Sequence, residues 1–317
     1  MIAEGLFFLY DVSAFCLYCR RNLLLSQHKQ KAKLKTMKFK KQIMLAFVAP
    51  LFMACVEGNG SKPLIGGVRE SGAVEKEAPS TEMETTSADD GLELPAPLKG
   101  GNEQILRRMG YTVSYNSETK LPNWVAWQLD GSRLKGAAKR KNFDFAEDEE
   151  VAEPRATKWD YYSSGYDRGH MCPAGDNKWS EKAMRESFLF TNICPQAPSL
   201  NRGDWNEMEN ACRQWAKEYG KIYVVCGPIL YKGKHKTIGK NKVTVPEAFF
   251  KVVLRMGKSP EAIGFIYKNA DGNRPKGDYV NTVDEVERIT GIDFFPSLPD
   301  NIEKQVEATA HSERWGI

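Results

Sequence analysis

Residues 101–317 predict an α+β domain. Apolar, β-branched runs at 221–226, 248–256 and 262–268 read as strands. A segment at 204–219 with apolar residues at steps of three and four reads as a long amphipathic helix. Because strands and helices are mixed without regular strand–helix–strand alternation, an α+β arrangement is favoured over a doubly wound parallel sheet. A body of this length can bury one sizeable core.

Each element has a local cause. Asn-Trp-Val-Ala-Trp-Gln-Leu at 123–129 is rich in β-forming residues and predicts a strand. Ser-Glu-Lys-Ala-Met-Arg-Glu-Ser-Phe at 180–188 predicts a short helix. In the long helix, Asp204 and Glu207 read as a capping box, Trp205, Met208, Cys212, Trp215 and Tyr219 form the apolar stripe, and Gly220 stops the run. Residues 221–226 predict a buried strand closed by Gly227-Pro228. The runs at 248–256 and 262–268 are separated by Gly257-Lys-Ser-Pro260, which predicts a hairpin or meander. A further helix is expected at 282–289.

Upstream of this body the composition changes twice. From Met37, three lysines precede an apolar run at 43–53 and then Ala54-Cys55, the pattern of a secretory signal, too short for a permanent membrane span. Met37 therefore reads as the start, and residues 1–36 as an upstream extension. The end of the run resembles a bacterial lipoprotein signal, which implies export and a membrane anchor on a lipidated Cys55. Ordinary cleavage and free secretion is the alternative. Residues 55–100 are rich in Gly, Pro, Ser, Thr and Glu, so they are expected to form a disordered tether, with the folded domain spanning 101–317. Basic residues concentrate in the leader and acidic ones in the tether, so the formal charge of +4 says little about partners.

In the body, Cys172, Cys194, Cys212 and Cys226 permit two disulfides in three connectivities if the chain is exported. The Cys16-x-x-Cys19 pair lacks the second pair that a zinc site needs.

Two stretches concentrate polar residues beside apolar ones: 164–177 and 191–209. If 166–171 is extended, Arg168 and His170 share a face and Asp167 points to the other. An imidazole can take the proton of an attacking water, and a guanidinium can fork onto phosphate oxygens. The charge on a leaving O3′ calls for a hard divalent cation held by oxygen. Asn201 and Glu209, the latter one turn after Trp205, supply such ligands. Taken alone, His170 would read as a satisfied loop histidine, Asn201 as a turn residue and Glu209 as surface charge; their joint spacing argues for a site. His235 belongs to a basic loop.

Asp167-Arg168-Gly169-His170 resembles the signature of the sugar-non-specific DNA/RNA endonucleases of the ββα-metal superfamily. Thr191-Asn192, Pro195-Gln196, Asn201, Trp205 and Glu209 follow in that family's order, and the likeness covers roughly residues 110–299. It implies a ββα-metal nuclease fold with a central, mainly antiparallel sheet flanked by helices. It also implies hydrolysis of DNA and RNA to 5′-phosphate ends. His170 then matches the general base, Asn201 the direct ligand of one Mg²⁺ (Mn²⁺ as a substitute), and Glu209 the carboxylate holding the metal's waters. Arg168 matches a phosphate contact and Asn192 a polar support. A further arginine falls in Lys139-Arg140-Lys141 and is assigned to Arg140. Cys172 and Cys194 depart from many members and would form either a bracing disulfide or two buried thiols. Family members are often dimers, so a homodimer is expected. The same chemistry would serve a phosphodiesterase acting on another ester, and loss of catalysis would leave a nucleic-acid-binding lipoprotein.

Overall fold

The computed structural model describes residues 91–270 and 272–317. Met37, Cys16, Cys19, Cys55, His28 and the tether up to residue 90 lie outside the described residues. No helix among the described residues is long and apolar enough to cross a membrane.

The strands are β1 (Gln104–Arg107), β2 (Thr112–Asn116), β3 (Leu121–Asp130), β4 (Asp167–His170), β5 (Ile193–Gln196), β6 (Lys221–Ile229), β7 (Thr237–Ile238), β8 (Val243–Thr244), β9 (Ala248–Arg255), β10 (Glu261–Lys268) and β11 (Val280–Asn281). The helices are α1 (Lys158–Tyr161), α2 (Glu181–Glu186), α3 (Pro198–Arg202), α4 (Asp204–Tyr219), α5 (Val283–Thr290) and α6 (Asp300–Glu307). Seven strands form one sheet in the order β1-β2-β3-β6-β9-β10-β11, with every neighbouring pair antiparallel. The hairpin expected of 248–268 is β9 against β10.

Successive residues of the central strands point to opposite faces, and both faces are covered. Trp127, Val224, Val253 and Phe265 meet Trp205, Met208, Cys212 and Trp215 of α4 on one side. Trp124, Val225, Val252 and Leu254 meet Val283 and Val286 of α5 and Val306 of α6 on the other. Double coverage explains why these strands read as continuous apolar runs rather than alternating ones. The sheet flanked by helices is the α+β architecture expected.

Three local expectations are corrected. β6 does not stop at Cys226 but runs through Gly227 and Pro228, which pair with Phe250 and Phe249. Its pairing with β3 ends at Cys226, so beyond that point β6 is an edge, where a proline's missing N–H costs nothing. The helix α4 is capped by Gly203, and no side chain caps it. Asp204 is its first residue, and the carboxylate is recruited instead by the following loops, accepting from Asn273 N at 2.7 Å and from the Tyr279 hydroxyl. Finally, the packed body begins before residue 101. Leu92 is buried in the second core, Leu94 and Leu98 pack against it, and Ala96 N donates to Asp293 O at 2.9 Å. The acidic composition around these leucines masked their role.

Candidate active site

The site is built on β4, β5 and the helices that follow. β4 pairs antiparallel with β5, setting Gly169 opposite Cys194 and His170 opposite Ile193. A Cβ on Gly169 would lie 2.3 Å from Oε1 of Gln196, so only glycine fits there. The strand alternation puts Arg168 and His170 together in an open cleft of about 740 Å³, also lined by Arg140, Asn201, Glu209 and Arg213. Trp205 of α4 donates its indole N–H to the His170 carbonyl at 3.2 Å, tying helix to strand.

His170 is 6% exposed and sits between the rings of Phe145 (5.2 Å) and Phe188 (5.1 Å, edge-on). Its Nε2 is buried without a hydrogen-bond partner. Burial pushes its pKa down to about 3, and the charges of Arg140 and Arg168 push the same way. The imidazole is therefore neutral near pH 7, with a lone pair to give. The Arg168 guanidinium lies 4.3 Å from the Phe145 centroid and that of Arg140 5.7 Å from the Phe188 centroid, so both arginines rest on the aromatic wall around His170.

Asp167, on the other side of β4, orients the next donor. It accepts from the Asn201 amide nitrogen at 2.9 Å and from Arg202 at 2.8 and 2.7 Å. With its nitrogen so committed, Asn201 has its carbonyl oxygen left for a ligand. Glu209 is mostly buried, and burial raises its pKa to about 7, with Asp176 adding to the rise and Lys251, Arg213 and Arg140 opposing it. A neutral amide oxygen and a desolvated carboxylate in one cleft suit a hard divalent cation.

A model of the DNA/RNA non-specific endonucleases matches residues 94–301. The chain belongs to this family. Mitochondrial endonuclease G of Homo sapiens is 36% identical over 212 residues, covering 62% of this chain and 71% of that protein. A nuclease of Nostoc sp. is 33% identical over 225 residues, covering 68% and 81%. Among solved structures, EndoG in its complex with EndoGI superposes with a TM-score of 0.60 at 29% identity, covering 63% of this chain and 88% of that one. The chain is thus a nuclease, hydrolysing phosphodiester bonds, on the ββα-metal fold.

Asn192, expected as a polar support, does not itself line the endonuclease's cleft. Its Oδ1 accepts from Cys172 N at 2.9 Å, and its Nδ2 donates to Cys172 O at 2.9 Å and Ser187 O at 2.8 Å. These bonds tie the turn after His170 to the end of α2. The thiol alternative holds for the cysteines: Cys172, Cys194, Cys212 and Cys226 are all free and buried, and burial pushes each thiol up. His235 pairs with Glu247 at 2.9 Å.

Three charged residues at or behind the cleft escaped the sequence reading. Asp176 is buried, binds Arg213 at 2.8 Å and accepts from the Trp127 indole at 3.2 Å. Arg213 reaches Glu209 at 3.8 Å, one turn back along α4. Lys251 is 1% exposed and stands 4.3 Å from the Trp205 ring and 5.2 Å from that of Trp127. Burial pushes its ammonium down, yet Cys226, Cys212, Glu209 and Asp176 together hold it above its ordinary value. A lone lysine inside the apolar strand Ala-Phe-Phe-Lys-Val-Val-Leu-Arg was the available signal.

Proposed function

We propose that this endonuclease cleaves DNA and RNA with little sequence preference, uses Mg²⁺ (or Mn²⁺) held by Asn201 and Glu209, and leaves 5′-phosphate ends. The observation that carries this is the convergence on one cleft of a neutral His170 with Arg168, Arg140, Asn201 and Glu209. His170 takes a proton from water as that water attacks phosphorus. Arg168 and Arg140 grip the phosphate oxygens. The phosphate's negative charge offsets the two guanidiniums that depress His170, so the imidazole becomes a stronger base once substrate is bound. A divalent cation at Asn201 and Glu209 would neutralise the charge developing on the departing O3′. Breaking the P–O3′ bond leaves a 3′-hydroxyl on one fragment and the phosphate on the 5′ oxygen of the other.

Lack of specificity follows from contacts that carry no base information. Tyr162 lines the cleft at 75% exposure and Trp159 stands beside it at 69%; exposed aromatic faces stack on any base. A plasmid-nicking and RNA-degradation assay tests the reading. EDTA should abolish both activities and Mg²⁺ or Mn²⁺ should restore them. Activity that survives exhaustive chelation would sink the metal assignment, and 3′-phosphate products would sink the chemistry. An inactive protein that retains nucleic-acid binding would favour the non-catalytic alternative.

Export rests on the leader sequence. The mature chain begins at a lipidated Cys55 and works from a membrane surface. Cys55→Ser should move the protein to the soluble fraction with nuclease activity unchanged, since the body lies beyond the tether. A variant that still sediments with membranes would leave plain secretion. Light scattering of the purified enzyme checks the homodimer.

A further inference from the structure

The two C-terminal helices hold a cluster of carboxylates that hydrolysis does not use. Asp284 and Glu287 are three apart on α5, and Glu303 and Glu307 four apart on α6, so each pair shares a helix face. One carboxylate oxygen from each of Asp284, Glu287 and Glu307 lies within 4.8 Å of the others. Asp293 and Glu303 add negative charge alongside. Among the described residues, no ion pair joins any of these five groups to a cation.

Glu307 is the decisive member. It is only 6% exposed, and its Oε1 is buried without a hydrogen-bond partner. It also ends α6, where the free carbonyls add to the negative potential. Glu287 spends one oxygen on Phe294 N at 2.7 Å. A buried carboxylate among like charges needs either a proton or a cation. Burial, with Glu287 and Glu303 adding to it, pushes Glu307 up to about 9, so without a cation the cluster retains protons near neutral pH.

We propose that Asp284, Glu287 and Glu307 form a second divalent-cation site, of calcium type, that fastens α5 to α6. The donors are all hard oxygens. Three converging carboxylates with an open side at exposed Asp284 suit the large, flexible coordination of Ca²⁺ better than Mg²⁺, which retains most of its waters. Binding displaces protons from Glu307 and Glu287.

The experiment uses the full-length Asn201→Ala/Glu209→Gln variant, which lacks the donors of the catalytic site, stripped with EDTA and titrated with CaCl₂ by calorimetry and thermal melting. One Ca²⁺ should bind per chain, with net proton release seen in buffers of different ionisation enthalpy, and Tm should rise by several degrees at saturation. Adding Glu287→Gln and Glu307→Gln should abolish binding and make Tm independent of Ca²⁺. If that variant does not fold, Asp284→Asn, at an exposed position, should weaken binding at least about ten-fold, as loss of one charged oxygen ligand would. In the otherwise wild-type chain, Asp284→Asn should nick plasmid normally in Mg²⁺. No binding at roughly 10 mM Ca²⁺, about ten times the weakest Kd of calcium modules, would overturn the proposal. So would binding that Asp284→Asn leaves unchanged.

Discussion

His170→Ala should lower nicking activity by at least about 10²-fold while the protein stays folded, since that is the low end of what a positioned base contributes. The fold should survive because the strand is held by backbone: the residue 170 carbonyl still accepts from Trp205, and β4 still pairs with β5. Near-normal turnover in a folded variant would remove His170 from the chemistry. A second readout is acid stability. A histidine held at about 3 in the folded state, against roughly 6.5 unfolded, binds its proton more readily when the chain opens. Its contribution is thus present above about pH 6.5 and is lost as pH falls towards 3. Glu209, raised from 4.5 to about 7, works in the opposite sense: its contribution is fully present below about pH 4.5 and is lost as pH rises through about 7. Comparison with His170→Ala isolates the first effect, because the variant keeps Glu209. Denaturant midpoints measured from pH 7.5 to 4 should fall more steeply for the wild type. Parallel curves would mean that His170 is not held neutral by its surroundings.

Asp176→Ala should cost about 3–5 kcal/mol of stability, the usual result of removing one partner from a buried ion pair. The substitution removes the shortest ion pair of the Arg213 guanidinium and the acceptor of the Trp127 indole N–H together. For a domain of this size the loss corresponds to a fall in Tm on the order of 10 °C. Function should suffer as well. Freed from Asp176, Arg213 is close enough to Glu209, at 3.8 Å, to pair with it and compete with the metal. More Mg²⁺ should then be needed for half-maximal nicking. Asp176→Asn retains an acceptor for both neighbours and should lie between the two. A Tm for Asp176→Ala within a degree of wild type would show that the network contributes nothing to folding.

Sequence and structure divide the account of the site according to the range of the forces involved. Strand alternation is a local property, so Arg168 and His170 could be placed on one face from spacing alone. The helical stripe from Trp205 to Tyr219 and the apolar runs of β6, β9 and β10 were legible for the same reason. Glu209 was found because it follows Trp205 by one helical turn. Asn192 was recognised as polar and near the site, but nothing local shows that its amide is consumed by the backbone of Cys172, twenty positions away. The capping box failed similarly: Asp204 has the right spacing from Glu207, yet a loop some seventy residues on takes its carboxylate.

What the sequence determined by itself is the class of fold, the order of its elements and which of the candidate site residues share a strand face. The tertiary structure alone decided how those groups are charged. His170 is neutral because Phe145 and Phe188, remote in sequence, exclude water around it while Arg140 and Arg168 converge on it. Lys251 is held above its ordinary value inside the core because Cys226, Cys212, Glu209 and Asp176 from other elements face it. The thiols stay single, and the carboxylates of α5 and α6 gather, through the same long-range packing. Burial and Coulomb interaction depend on distance in space and on excluded water, and neither is a function of position along the chain.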